Sequence, residues 1–72
     1  MHDKDVRVLK SLAVAAGFSN GFVSRINRRN KLSNFLMRAA KEDVAKAVRL
    51  AGGMRVTGNH YFCLAAIHFS GR

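Results

Sequence analysis

The chain has 72 residues, 49% of them hydrophobic, no proline or tryptophan, and a formal net charge of +9. That length allows a single domain over residues 1–72 with a thin core, and it favours association with a second copy. The apolar content excludes compositional disorder. The one cysteine, Cys63, excludes an internal disulfide framework.

The opening MHDKDVRVLK carries charges where a secretory signal needs its apolar region. No apolar run approaches the roughly 20 residues of a spanning helix. A cytoplasmic setting with no membrane partner is therefore expected. The charge is unevenly placed: acids occur only at Asp3, Asp5, Glu42 and Asp43, and none lies between Val6 and Lys41. Arg7, Lys10, Arg25, Arg28, Arg29, Lys31, Arg38 and Lys41 all fall in that acid-free region. A field of this kind attracts polyanions, nucleic acid first among them.

In chain order, residues 3–16 read as a first helix. Asp3 and Asp5 suit its positive end, and Val6, Leu9, Leu12, Ala13 and Ala16 make one apolar stripe. A break near Lys10 or Ser11 is left open. Gly17 stops the helix. Ser19 or Asn20 caps a second helix over 20–29, with Phe22, Val23 and Ile26 inward and Asn20, Gly21, Ser24, Arg25 and Arg28 outward. A third helix is expected over 34–51. Leu32, Phe35, Leu36, Ala39, Val44, Ala47, Val48 and Ala51 form its stripe, and Glu42 and Lys46 form an i,i+4 pair. Gly52-Gly53 ends it, so Ala16-Gly17 and Ala51-Gly52 both read as helix C-termini. Gly58-Asn59 is a turn signal. The apolar tail 61–69 (YFCLAAIHF) has no clean period. It reads as a strand, a hairpin or a short buried helix, with a slight preference for strand. The fold class expected is mainly α: a small three-helix domain with a helix-turn-helix-like corner and that C-terminal element.

A helix-turn-helix corner needs a small residue where its two helices cross, and a glycine at the turn four residues later. Branched apolar residues follow six and nine further on. Ala13, Gly17, Val23 and Ile26 meet that spacing, with Leu12, Ala16 and Phe18 around them. Over Leu9 to Arg28 the chain resembles the phage Cro and repressor family of helix-turn-helix regulators. The resemblance implies that the second helix of the motif reads the DNA major groove. It also implies that Ser19, Asn20, Gly21, Ser24, Arg25 and Arg28 meet DNA. Arginine can pair bidentately with guanine, asparagine with adenine, and serine with base edges or phosphates. Arg29 and Lys31 would hold phosphates and set register.

Other constellations are weaker. His60, Cys63 and His68, with His2 as a fourth, match no usual zinc spacing and read as a buried thiol and ordinary histidines. The acidic pairs read as helix-end charges. No serine has a His/Asp setting and no glycine pattern makes a phosphate loop, so no enzyme, cofactor or metal is expected. Three functions are therefore carried forward. The first is a phage- or plasmid-type DNA-binding regulator, dimeric through Tyr61–Phe69. The second is a small phage-type inhibitor that binds a host protein through its basic and apolar helical surface. The third is an RNA-binding protein that uses the run Arg25–Lys31.

Overall fold

The computed structural model describes residues 1–70, and its elements are five helices: α1 (Asp3–Ala16), α2 (Asn20–Ser24), α3 (Leu32–Glu42), α4 (Val44–Val56) and α5 (His60–Ser70). The fold is mainly α, as expected, but the helix count and the preference for a C-terminal strand are both overturned: no strand occurs among the described residues.

α1 is one continuous helix, which closes the question of a break at Lys10 or Ser11. Its stripe Val6, Leu9, Ala13 and Ala16 is buried, with Asp3 and Asp5 in the first turn. α3 starts two residues earlier than expected and buries Leu32, Phe35, Leu36 and Ala39.

The expected helix over 34–51 is two helices. Asp43 adopts an extended conformation (φ −164°, ψ 110°), and its carboxylate accepts the backbone N–H of Lys46 at 3.1 Å. It is thus the N-cap of α4, and a short acidic side chain satisfies a helix start better than it serves a helix interior. The break resets the helical phase. Val44 and Val48, which an unbroken helix would bury, are 66% and 58% exposed. Glu42 and Lys46 now lie on different helices.

α4 is the hub, packing against α1, α3 and α5. It buries Ala47, Leu50, Ala51 and Met54 at i, i+3, i+4 and i+7, one face of a helix. Gly52-Gly53 does not end it. Gly53 sits where α1 crosses: a Cβ there would stand 3.1 Å from Leu12 Cδ2, so the missing side chain permits the close approach. Burial of Met54 beyond it outweighs the roughly 1 kcal/mol that each helical glycine costs.

Gly58 (φ +73°) turns the chain into α5. Asn59 fixes this start, its Oδ1 accepting from the N–H groups of Tyr61 (2.9 Å) and Phe62 (3.3 Å) and its Nδ2 donating to Asp5 Oδ1 (3.1 Å). Phe62 and Ala66, four residues apart, are fully buried. The turn signal was read correctly, but it joins two helices. The tail lacks a period because α5 is apolar on its outer face as well, where Tyr61, Leu64 and Ile67 are 45–55% exposed. Among the described residues, no helix is long and apolar enough to cross a membrane.

Candidate nucleic-acid interface

The corner between α1 and α2 is built by backbone bonds. Gly17 takes φ +97°, its N–H donates to Val14 O at 3.0 Å, and the N–H of Phe18 donates to Ala13 O at 3.1 Å. This is a Schellman ending, with Phe18 and Ala13 both buried beneath it. Ser19 then caps α2, its Oγ accepting from Phe22 N at 3.3 Å. The spacing residues pack as a crossing helix pair requires: Ala13 is 0% and Ile26 2% exposed, with Val23 partly buried.

α2 itself buries no residue fully. It is held by its cap and by rings. Phe22 stacks on Phe18 (centroids 4.3 Å apart, 17° between planes) and tilts against Phe35 of α3 (5.4 Å, 48°). The expected helix over 20–29 stops at Ser24. Arg25 and Ile26 continue it only as a tighter turn, their N–H groups bonded to Phe22 O and Val23 O. Beyond Ile26 two asparagines capture the backbone. Asn27 Oδ1 accepts from Arg29 N (2.9 Å) and its Nδ2 donates to Arg25 O (3.2 Å), while Asn30 Oδ1 accepts from Asn27 N (2.9 Å). Side chains that compete in this way for backbone groups end helices. The basic run is therefore a braced loop.

All the positions assigned to DNA are exposed: Ser19, Asn20, Gly21, Ser24, Arg25 and Arg28 from the resemblance, and Arg29 and Lys31 as phosphate contacts. Two of the hydroxyls also serve the local backbone, since Ser19 caps α2 and Ser24 Oγ donates to Gly21 O at 2.9 Å. Arg28 pairs with Asp3 at 3.3 Å, with both side chains about three-quarters exposed. Such pairs are worth about 0–1 kcal/mol, little enough for a phosphate to displace. Lys31 precedes α3 without a side-chain cap. A cation at the positive end of a helix, behind Arg28 and Arg29, works against local stability.

Sequence spacing did not place two further cations in this surface. Arg38 and Lys41, one turn apart on α3, share a cleft with Arg25, Phe22, Asn30, Phe35 and Glu42. Their position on an exposed helical face was evident, but their meeting with Arg25 depends on Phe22 docking against Phe35. Arg49 of α4 was also missed as a structural residue. Its Nε and Nη2 donate to Ala16 O at 3.3 and 3.2 Å, placing a cation on the negative end of α1. The stem of Lys46 runs beside Gly17. Basic side chains thus flank the corner on both sides.

His60 and His68 are exposed and Cys63 is half-buried, its Sγ 3.8 Å from Arg55 O. Among the described residues, no three histidine, cysteine or acidic side chains converge as a metal site would require. Comparison with protein-family models, with curated proteins and with solved structures gives no match.

Proposed function

We propose that this chain is a small, cytoplasmic, sequence-specific DNA-binding regulator of phage or plasmid type, with α2 entering the major groove. One observation carries the reading. Asn20, Ser24, Arg25 and Arg28 are each exposed, on α2 and the loop behind it, directly after the Gly17 turn that joins α2 to α1. Arg25 and Asn20 supply base-reading groups, while Arg29 and Lys31 supply phosphate contacts.

The active species in this reading is a homodimer through the outer face of α5. Tyr61, Leu64 and Ile67 are exposed there, and residues 56–70 contain no lysine, arginine, aspartate or glutamate. For a chain of net charge +9, that face offers two copies the approach with least repulsion. To read successive major grooves, the two α2 helices of that dimer must lie about 34 Å apart, one helical turn of DNA.

A second reading, binding to structured RNA, is favoured by the braced-loop form of Arg25–Lys31, because RNA is recognised largely by shape. Competition between duplex DNA and hairpin RNA separates the two. In the DNA reading, Arg25→Ala weakens binding to the preferred sequence by about 1–3 kcal/mol and relaxes specificity. Arg29→Ala weakens binding evenly across sequences and lowers the salt slope by about one. Fluorescence anisotropy over a salt series checks both, and equal effects of the two variants on all sequences would refute base reading by Arg25.

A further inference from the structure

The cleft between α2 and α3 has a composition that phosphate contacts alone do not call for. It is a half-open cavity of about 250 Å³ lined by Phe22, Arg25, Asn30, Phe35, Arg38, Lys41 and Glu42. The accessible aromatic surface is that of Phe22, which is stacked on Phe18 by one face and tilts against Phe35, itself only 3% exposed. Three cations against one carboxylate leave the lining with a net charge of +2. The cations come from separate elements, Arg25 after α2 and Arg38 and Lys41 one turn apart on α3.

We propose that this cleft is a binding site for a single nucleotide, an aromatic base joined to a phosphate. The base packs against the side of Phe22 that Phe18 leaves uncovered, since aromatic rings pack on nucleobases irrespective of sequence. The phosphate sits among Arg25, Arg38 and Lys41, where arginine can bind it bidentately. Glu42 accepts a hydrogen bond from a sugar hydroxyl or a base amino group. Pockets that enclose drug-sized ligands run to roughly 300–1,000 Å³, so this smaller, half-open space holds one nucleotide only in part, with the rest of it in solvent. Two sources share this chemistry, a free mononucleotide and one unit of a single strand. Binding itself does not depend on DNA reading by α2. Coupling between the two rests on that reading, because Arg25 serves both, and a bound nucleotide therefore lowers duplex affinity.

Titration of the full chain with adenosine 5′-monophosphate, followed by amide NMR shifts, tests this directly. Saturable one-to-one binding is expected, with shifts centred on Phe22, Arg25, Asn30, Arg38 and Lys41. Adenosine and inorganic phosphate should each bind at least about tenfold more weakly. R38Q/K41Q should weaken binding by about tenfold or more without lowering the melting temperature, because both side chains are exposed. Displacement of the nucleotide by oligodeoxyadenylate identifies a strand as the source; lack of displacement identifies free nucleotide. Shifts spread over every basic side chain, or phosphate binding as tightly as the nucleotide, would overturn the site. Duplex binding measured on the same samples keeps the two claims apart. Duplex binding without nucleotide binding refutes only the cleft, and nucleotide binding without duplex binding refutes only the DNA reading.

Discussion

The dipeptide Ala-Gly occurs at Ala16-Gly17 and again at Ala51-Gly52, with opposite outcomes. The first ends α1 in a left-handed residue; the second lies inside α4, which runs on to Val56. The glycine does not decide between them. The phase of the next large apolar residue does. At 3.6 residues per turn, Phe18 in a continued α1 would point away from Leu9 and Ala13. The chain buries it only by turning, and Phe18 is 6% exposed as a result. Met54 falls in phase with Ala47 and Leu50, so continuing α4 buries it completely. A helix therefore stops where stopping buries the next side chain.

Substitutions on either side of this contrast can break it. The largest effect is expected at Met54. Met54→Ala removes the fully buried side chain that carries α4 past its glycines, and should lower stability by about 2–5 kcal/mol in urea unfolding. In a chain this small, such a loss brings the unfolded state into view. Gly17→Ala comes next. Space exists for the Cβ, but the left-handed backbone disfavours it by roughly 1–2 kcal/mol, so the variant should be destabilised. Gly52→Ala should act in the opposite direction. No atom lies within 4 Å of the added methyl, and alanine should stabilise the helix by about 0.5–1 kcal/mol. For a domain of this size that corresponds to a rise in melting temperature of roughly 2–8 °C. If Gly52→Ala were as damaging as Gly17→Ala, α4 would not be helical at Gly52.

What could be read from the sequence divides along the same line. The start and stripe of α1 and the left-handed Gly17 follow from neighbours within four residues, and local chemistry also narrowed the cap of α2 to Ser19 or Asn20, of which Ser19 serves. Asp43 was harder. It lies in a charged run, Lys41-Glu42-Asp43, that looks like the outer face of a long helix, and its capping role emerges only when α4 packs at its own phase. α5 could not be read from periodicity because its inner and outer faces are both apolar. The exposure of Asn20 and Ser24 on α2, and of Arg25 and Arg28 after it, followed from spacing. The cleft did not, because it needs α3 to carry Arg38 and Lys41 up to Arg25 through the Phe22–Phe35 contact.

The charged corner and the uncharged α5 also divide the labour proposed for the chain, one face meeting nucleic acid and the other a second copy. Selection of random duplex DNA by the full chain, followed by anisotropy at low and moderate salt, tests this most directly. The account predicts enrichment of a two-fold symmetric site with half-sites about one helical turn apart, bound with a steep salt dependence and lost on Arg25→Ala. Failure to retain any duplex at low salt, or retention with no sequence enriched, would contradict it.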